Sequence, residues 1–356
     1  MKSPMPPPFV IGEESIAPGS TVDIALPVTT MATGYNSQLG VRVIHGSREG
    51  PTVFVSGAIH GDEIVGTAII QRLATYLAPE QLAGTLLLVP VANIFGFLGH
   101  TRYLPDRRDL NRSFPGTASG SLAGQLAHVF FTEIVARASL GIDIHSAAVH
   151  RYNLPQIRIA AGNRRLLDLA TAFGAPIIIE SPLREGSLRA LAQEKGVDML
   201  LMETGEALRF DRLSIQTGMA GVLRVLASLE MVETDPYLHA IAAPARSKKT
   251  QWVRSPRGGV THRVRKSGDA VKEGELLGAV SGLFGEEPAE IVSPITGIII
   301  GHATLPVVHQ GDALFHIARV EDAHDIGEKF TNLSDAIYAS DPEDFAEVLL
   351  DEDEVL

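Results

Sequence analysis

A histidine and a carboxylate stand three positions apart in residues 56–63, which read SGAIHGDE. His60 and Glu63 follow an apolar run that is typical of a strand, and they precede a helical pattern. This spacing can aim an imidazole and a carboxylate at one point, and such ligands suit Zn²⁺ at about 2.0–2.2 Å. An HxxE pair alone is a weak indication, because the chain contains 12 histidines. A third ligand from an independent segment is therefore needed.

The third ligand is predicted at the end of another strand pattern, residues 141–145, which read GIDIH. His145 ends this pattern, and Asp143, two residues earlier, points to the same side of the strand. Asp143 is expected to orient one of the metal ligands through a hydrogen bond, without binding the metal itself. Two histidines and one glutamate leave a coordination position open, as in catalytic zinc sites. We therefore expect one Zn²⁺ per chain, held by His60, Glu63 and His145.

A further carboxylate, Glu203, ends the strand pattern of residues 198–203, which read DMLLME. Its place after largely apolar residues favours a role other than contact with solvent. The hypothesis is a general base that takes a proton from water activated by the metal. A buried salt bridge is the alternative interpretation.

Residues 102–116, which read RYLPDRRDLNRSFPG, form a predicted loop dense in arginine. An arginine fork binds a carboxylate through two hydrogen bonds, and asparagine adds a donor. A second arginine near a metal can stabilise a tetrahedral oxyanion. A charge-rich turn is otherwise typical of solvated surface, so this interpretation depends on the metal motif.

The elements that must position these residues alternate along the chain. Strands are predicted at residues 52–58, 85–91, 141–145, 156–161, 175–180 and 198–203, and helices at 63–77, 121–138, 163–173, 187–195 and 212–229. Alternation indicates a mixed, mostly parallel sheet flanked by helices on both faces, with sites at the carboxyl ends of strands. Residues 21–26 and 40–44 predict an antiparallel hairpin before it.

After about residue 240 the helical patterns stop, and short β segments with turns follow. Residues 243–250 indicate a linker. The predicted organisation is a catalytic domain over residues 1–245, a smaller all-β barrel-sandwich domain over 246–320 and an acidic tail over 321–356. The second domain repeats weakly and resembles the biotinyl/lipoyl carrier fold. It has no lysine between Lys272 and Lys329, so a carrier function is not supported.

Composition excludes several classes of protein. The 356 residues include no cysteine, which excludes disulfides, cysteine-ligated metals and a cysteine nucleophile. The net charge is −12, and eight acidic residues lie in the last 16 positions, so the remainder carries −4 and predicts no nucleic-acid partner. No apolar leader is visible, and the uncharged run at 81–99 reads as a strand and a loop. We expect a cytoplasmic protein without a membrane partner.

The four segments GAIHGDE, RDLNRSFPG, DIHS and METG, in this order, resemble the succinylglutamate desuccinylase/aspartoacylase family of the zinc carboxypeptidase-like clan. The resemblance covers about residues 45–230, and the β region after 250 fits the same family. It implies zinc ligands, a catalytic glutamate, a pair that binds the substrate carboxylate and an oxyanion-stabilising arginine. The zinc ligands would be His60, Glu63 and His145, and the catalytic glutamate would be Glu203. Asn111 and Arg112 would bind the substrate carboxylate, and Arg102 would stabilise the oxyanion.

Three positions depart from the family pattern or match it weakly. The spacing from Arg102 to the DLNR segment is longer than in aspartoacylases, so Arg108 is an alternative oxyanion residue. Arg189 matches a second arginine that grips an acidic acyl group or side chain, across a gap. Glu206 follows Gly205 where the family often has Gly-Gly, and this extra carboxylate favours a substrate with an amino group instead.

The expected function is that of a zinc-dependent amide hydrolase, a deacylase of amino-acid metabolism. Its partner would be a small molecule with a carboxylate, such as an N-acyl amino acid. A zinc carboxypeptidase acting on peptide C-termini and a non-catalytic zinc-binding module are the alternatives. The segments before residue 50 and the β region offer surfaces for a homo-oligomer.

Overall fold

A computed structural model describes residues 5–233, 243–284, 286–321, 323, 326–328, 330–331 and 334–335. Most of the predicted acidic tail, including its eight acidic residues after position 340, lies outside the described residues. No helix in the described part of the chain is long and apolar enough to cross a membrane.

The described chain begins with five strands, contains both strands and helices up to residue 228, and contains mainly strands after residue 244. The strands of the first part are β1 (Phe9–Ile11), β2 (Glu14–Ile16), β3 (Ser20–Thr30), β4 (Asn36–His45), β5 (Arg48–Gly57), β6 (Ala83–Val89), β7 (Leu140–Ala147), β8 (Arg151–Ile159), β9 (Ile177–Glu180) and β10 (Asp198–Glu206). The helices are α1 (Val65–Tyr76), α2 (Ile94–Leu98), α3 (Leu122–Val129), α4 (Arg164–Phe173), α5 (Leu188–Glu194) and α6 (Arg212–Ser228).

The strands of the second part are β11 (Ala245–Ser247), β12 (Thr250–Arg254), β13 (Gly259–Arg263), β14 (Ala270–Val271), β15 (Leu276–Ser281), β16 (Ala289–Val292), β17 (Gly297–Ala303), β18 (Val307–Val308) and β19 (Ala313–Ala318).

One large mixed sheet runs through both parts, with the order β12-β19-β17-β8-β10-β7-β5-β6-β4-β3. Its centre is parallel, since β5 pairs in parallel with β6 and β7, and β7 with β10. The predicted mixed sheet with helices is therefore confirmed. β3 and β4 pair antiparallel, as the hairpin pattern predicts. The carboxyl ends of β5, β7 and β10 meet at one edge.

Helices cover both faces of the sheet because neighbouring strand residues point to opposite sides. Val53 and Val55 of β5 lie in a core shared with α1, α4 and α6, whereas Phe54 lies in the core under α3 and α5. Phe54 packs edge-on against Phe130, with ring centroids 5.9 Å apart. Nearly continuous apolar strands are what a sheet covered on both faces requires.

Two short elements lie where the sequence predicts a loop or a linker, and two predicted elements have other bounds: α3 ends at Val129 instead of 138, followed by π-helical and 3₁₀ turns, and β8 begins at Arg151 instead of 156. α2 lies in a segment expected to be a loop, and the Asn93 side chain accepts a hydrogen bond from the Gly96 amide at its start, which stabilises this short helix. β11 lies in the expected linker and pairs in parallel with β9. Short elements of this kind depend on partners distant in sequence, so local patterns do not identify them.

The region after residue 244 is rich in sheet and is joined to the first part. β17 pairs antiparallel with β8, with Gly301 opposite Asn153. A core cluster that includes Leu154, Ile177 and Ile300 spans the junction. A separate four-stranded sheet has the order β16-β15-β13-β18. The domain boundaries and the barrel-sandwich form of this region stay predictions.

Candidate metal and substrate site

Three strand ends deliver the predicted metal ligands and the predicted base to one edge of the sheet. His60 and Glu63 lie in the turn between β5 and α1, where Ala58 adopts a positive φ of 50°. His145 lies on β7, directly opposite Glu203 on the adjacent strand β10. Ligands at the carboxyl ends of parallel strands are the arrangement that the sequence predicts.

The three predicted ligands form a tight buried cluster. Ligand atoms of His60, Glu63 and His145 all lie within 4.8 Å of one another. His60 Nδ1 is 2.7 Å from Glu63 Oε1, and His145 Nδ1 is 2.7 Å from Glu63 Oε2. Both imidazoles therefore turn the same nitrogen towards the same carboxylate.

Carboxylates hold the opposite nitrogen of each imidazole. His145 Nε2 is 2.8 Å from Asp143 Oδ2, and the Ser56 hydroxyl donates to the other Asp143 oxygen at 2.8 Å. His60 Nε2 is 3.2 Å from Asp109 Oδ1. Such contacts orient metal-ligating histidines and raise their basicity. The Asp143 contact agrees with the sequence prediction. Sequence reasoning assigned no role to Asp109, although it lies in the conspicuous RDLNR segment.

The charges in the cluster favour an ionised Glu63. Burial opposes the charged carboxylate, but the neighbouring His60 and His145 outweigh it and hold the Glu63 pKa well below its usual range. Burial also opposes charge on His145, whereas Asp143 and Glu63 raise its pKa well above the usual value. Two imidazole nitrogens and a carboxylate at this spacing form a donor set that fits Zn²⁺.

The two candidate oxyanion arginines lie in different places. Arg102 Nη1 is 3.3 Å from Glu63 Oε1, and its Nη2 is 3.0 Å from Asp109 Oδ2. The Arg108 side chain is 62% exposed, and its Nε is 3.7 Å from Asp106 Oδ2. The structure thus brings Arg102, and not Arg108, to the cluster.

Asn111 and Arg112 lie in a short 3₁₀ turn, Leu110–Arg112, after the contact between Asp109 and His60. Asn111 Oδ1 accepts a hydrogen bond from the Leu188 amide at 2.9 Å, at the start of α5. Arg112 Nη1 donates to the Asn111 carbonyl at 2.5 Å. Gly186 lies against this turn, since a Cβ there would be 2.6 Å from the Arg112 carbonyl oxygen. The loop is therefore held by α5 and the residues before it.

Glu203 is oriented at both carboxylate oxygens. Asn153 Nδ2 donates to Glu203 Oε2 at 2.8 Å, and Arg158 Nη1 is 3.5 Å from Glu203 Oε1. The Glu203 side chain is 15% exposed, so solvent can reach it only in part. Sequence reasoning missed Asn153 and Arg158, and the polar positions in the NLPQIRI segment of β8 were the available signal.

Arg189, also a predicted site residue, lies on α5, and its charge interacts with those of Arg158 and Glu203. Its Nη2 donates to Ser181 Oγ at 3.2 Å. Burial, followed by the charge of Arg158, lowers the pKa of Arg189 to about 10. Arg189 therefore adds a second partly buried cation whose charge interacts with those of Arg158 and Glu203.

Glu206, the extra carboxylate, lies at the junction with the C-terminal strands. Its Oε1 accepts hydrogen bonds from the His150 amide at 3.0 Å and from Thr304 Oγ1 at 3.2 Å. These bonds connect the loop after β7 to the loop after β17. One carboxylate oxygen of Glu206 is thus engaged in structural contacts.

Comparison with known proteins gives consistent results. A sequence profile for the succinylglutamate desuccinylase/aspartoacylase catalytic domain matches residues 49–229. A Halomonas elongata protein named N-alpha-acetyl-L-2,4-diaminobutyric acid deacetylase is 25% identical over 319 residues, which cover 84% of this chain and 91% of the relative.

Solved structures share the fold over most of the chain. A succinylglutamate desuccinylase/aspartoacylase from Rhodobacter sphaeroides superposes with a TM-score of 0.75 at 26% identity, covering 85% of this chain and 96% of its own. The product-bound ectoine utilization protein EutE (DoeB) from Ruegeria pomeroyi has a TM-score of 0.77 at 23% identity, covering 90% and 100%. The second likeness concerns the fold alone.

Proposed function

Because the chain belongs to the succinylglutamate desuccinylase/aspartoacylase family, we propose that it is a zinc-dependent amide hydrolase that deacylates a small N-acyl amino acid. The observation that carries the proposal is the buried cluster of His60, Glu63 and His145 beside Glu203. A metal site next to an oriented carboxylate is the arrangement that amide hydrolysis by activated water requires.

His60, Glu63 and His145 would hold the metal. Zn²⁺ at this position supplies Lewis acidity, which polarises the acyl carbonyl and makes water more acidic at neutral pH. Asp143 and Asp109 keep the Nε2 atoms of the two histidines engaged, so that Nδ1 of each ring faces the cluster.

Glu203 acts as the proton carrier. Its carboxylate takes a proton from water as the water oxygen forms a bond with the acyl carbon. The same proton then passes to the amine nitrogen as the carbon–nitrogen bond breaks, leaving a free carboxylate and a free amine. The Asn153 amide and the Arg158 guanidinium keep the carboxylate in a defined orientation during both transfers.

Arg102 stabilises the negative charge that develops on the carbonyl oxygen, because its guanidinium lies beside the ligand Glu63. Asn111 and Arg112 bind a substrate carboxylate and so orient the amide for attack. The amide nitrogen of Asn111 is directed by the bond of its Oδ1 to the start of α5.

Two other functions would use the same residues. A carboxypeptidase needs the same metal and base, and a binding protein needs only the metal. The Halomonas elongata relative, which is named as a deacetylase, supports the deacylase over both. The amino group in that relative's named substrate also supports a test of amino-bearing compounds.

The test is amine release by zinc-loaded protein. The panel contains N-acetyl and N-succinyl amino acids, N-acetyl-2,4-diaminobutyrate, and dipeptides that have a blocked N-terminus and a free C-terminal carboxylate. We expect amine release from the N-acyl amino acids and none from the dipeptides. Release from peptides alone would replace the proposal by the carboxypeptidase, and no release together with stoichiometric zinc would favour the binding protein.

A further inference from the structure

The hydrogen-bonding ladder of β10 becomes irregular directly after Glu203. Between Glu203 and Glu206, β10 advances by three residues while its partner β7 advances by two. The pairing with β8 also shifts register between Glu203 and Gly205, and Gly205 has a positive φ of 68°. A bulge of this kind redirects the side chains beside it, and the ladder hydrogen bonds are disrupted there. Contacts from outside the ladder must therefore hold Glu203 in its place.

Two buried hydroxyls connect the residue after Glu203 to helix α6. These belong to Thr204 and Ser214, which we call the hydroxyl chain, and both residues are fully buried. Thr204 Oγ1 donates to Ser214 Oγ at 2.7 Å, and Ser214 Oγ donates in turn to Asp211 Oδ2. Buried hydroxyls need partners, and this arrangement supplies one for each. The hydroxyl chain therefore runs from the strand that carries Glu203 to a carboxylate at the start of α6.

The same oxygen of Asp211 also holds strand β8. The Tyr152 hydroxyl donates to Asp211 Oδ2 at 3.0 Å. Tyr152 directly precedes Asn153, whose amide donates to Glu203 Oε2 at 2.8 Å. The Tyr152 ring also lies against His302, with ring centroids 5.7 Å apart. One carboxylate oxygen thus connects the residue beside Glu203 with the residue beside its hydrogen-bond donor.

Capping of α6 explains only one of these bonds. The Asp211 side chain accepts a hydrogen bond from the Ser214 amide at 3.2 Å, as the N-cap of a helix does. The hydroxyls of Tyr152 and Ser214 are two further donors to the same oxygen, and the cap does not require them. Hydrogen bonds to a carboxylate are about twice as strong as those between neutral groups. Asp211 is therefore a fixed point that β8, β10 and α6 share.

We propose that Asp211 is a positioning residue that holds the proposed base Glu203 in its catalytic orientation. One route of hydrogen bonds runs through Tyr152 to the donor Asn153, and the other runs through the hydroxyl chain to the backbone beside Glu203. The proposal rests on the proposed deacylase function, because Glu203 is assigned as a base only for amide hydrolysis by activated water. Since Asp211 acts through its neighbours, its loss should lower kcat far more than it raises KM.

Two variants remove one route each and leave the cap in place. Tyr152→Phe removes the hydroxyl that donates to Asp211, and Ser214→Ala removes the last hydroxyl of the chain but keeps the capped amide. On the best substrate of the amine-release panel, we expect kcat to fall about tenfold in each variant, because a displaced catalytic group lowers the rate steeply. KM should change by less than about twofold, since the residues that bind the substrate carboxylate are untouched.

The matched controls remove hydroxyls of the same kinds at other places. Tyr76→Phe changes an exposed tyrosine on α1, and Ser228→Ala removes a hydroxyl that donates to the Val225 carbonyl at the other end of α6. Both controls should leave kcat unchanged. Unchanged kcat in Tyr152→Phe and Ser214→Ala, or an equal loss in the controls, would overturn the proposal.

Substitution of Asp211 itself separates positioning from capping. Asp211→Asn keeps an acceptor oxygen for both routes and caps the helix as well as aspartate does, whereas Asp211→Ala removes the acceptor and the cap. We expect kcat to fall by at least about tenfold in Asp211→Ala and by clearly less in Asp211→Asn. Asn163→Ala, which removes the cap of α4, is the control and should lower the melting temperature without lowering kcat. A loss of kcat in Asn163→Ala as large as that in Asp211→Ala would contradict a role beyond capping.

A double variant tests the route through β8. Asn153→Ala removes the donor to Glu203, so the Tyr152 hydroxyl has no group left to position on that side. Adding Tyr152→Phe to Asn153→Ala should therefore lower kcat by less than about twofold more, because substitutions that act through one contact do not add. Losses that multiply would mean that Tyr152 supports the fold independently of Glu203, and this route would be wrong.

Crystal structures of the zinc-loaded protein and of both cap-sparing variants separate this proposal from the deacylase itself. In Tyr152→Phe we expect the bond between Asn153 Nδ2 and Glu203 Oε2 to be lost, and in Ser214→Ala we expect the Glu203 carboxylate to be displaced. Unchanged positions in both variants would overturn the proposal even if the protein cleaves amides. If the unsubstituted protein cleaves no amide of the panel, the deacylase is wrong, and the crystallographic comparison still decides whether Asp211 holds Glu203.

Discussion

Glu203 is held by Asn153 and Arg158, and we expect its carboxylate, not its shape, to be essential. Glu203→Gln keeps the size and the hydrogen bond from Asn153 in part, but it cannot accept the proton. Turnover should fall by at least about a hundredfold, since general-base catalysis contributes on that order. Zinc content should stay at one per chain. Glu194→Gln, an exposed glutamate on α5, is the control, and normal turnover in Glu203→Gln would remove Glu203 from the mechanism.

Asp143 decides which nitrogen of His145 carries the proton. In Asp143→Asn the amide nitrogen would donate to His145 Nε2, which places the ring proton on Nδ1, the nitrogen that faces the metal position. We expect zinc affinity to fall by about 10–100-fold. Competition with a chromogenic chelator measures it, with the exposed Asp168→Asn as the control. Unchanged affinity would mean that Asp143 does not orient His145.

His316 couples folding to pH because burial and Arg158 lower its pKa to about 3. The unfolded chain takes up a proton near pH 6.5, so this group's contribution to stability is lost as pH falls from there towards 3. In His316→Phe the free energy of unfolding should therefore decrease less between pH 6 and 4.5, by about 1–2 kcal/mol. Urea unfolding at both pH values measures it. Val253→Ala, which changes no titratable group, should lower the free energy of unfolding equally at both pH values. If His316→Phe loses as much stability between pH 6 and 4.5 as the unsubstituted protein, the prediction is wrong.

At the scale of single residues, the sequence predicted those site residues whose positions follow from local spacing along the chain. His60, Glu63, His145 and Asp143 follow from strand ends and alternation. Asp109 reaches His60 only through the path of its loop. The contacts of Arg158 and His316 depend on strand pairing between segments far apart in the chain, which periodicity does not reveal.

At the scale of elements, β17 affects the site through Gly301, which has no side chain and so leaves room for Asn153. Gly301→Ala would place a methyl group 2.8 Å from Asn153 Oδ1, so the Asn153 side chain, which donates to Glu203, must shift. We expect kcat to fall by about tenfold with the fold intact, because misplacement of a catalytic group lowers the rate steeply. Gly40→Ala on β4, where a Cβ has open space, is the matched control. Equal activity in both variants would show that Asn153 does not position Glu203.

The central strands and the larger helices were predictable because each buries an apolar run or stripe. α6, predicted at 212–229, spans Arg212–Ser228, and α4, predicted at 163–173, spans Arg164–Phe173. α2 was missed because its five residues IFGFL are uniformly apolar and one is a glycine. β11 was missed because its sequence, ARS, has no strand signal, and because pairing with β9, which is distant in sequence, makes it a strand.

At the scale of the whole molecule, the shared sheet predicts one cooperative unfolding transition. Ile300 of β17 is fully buried in the cluster that also contains Leu154 and Ile177, so neither part can lose its strands independently. Ile300→Ala should lower stability by about 2–5 kcal/mol and shift the single calorimetric transition as a whole. Two transitions, of which only one moves, would contradict this prediction.

The pairing of β8 with β17 also has a consequence for how the protein is made. On the ribosome Asn153 emerges long before Gly301, so the nascent chain must hold residues 151–153 of β8 without their β17 partner while the intervening residues are still being synthesised. Such an unpaired edge invites pairing with other chains. A polypeptide released early would carry the complete metal cluster and Glu203 but lack His316, and we expect it to aggregate rather than to hydrolyse amides.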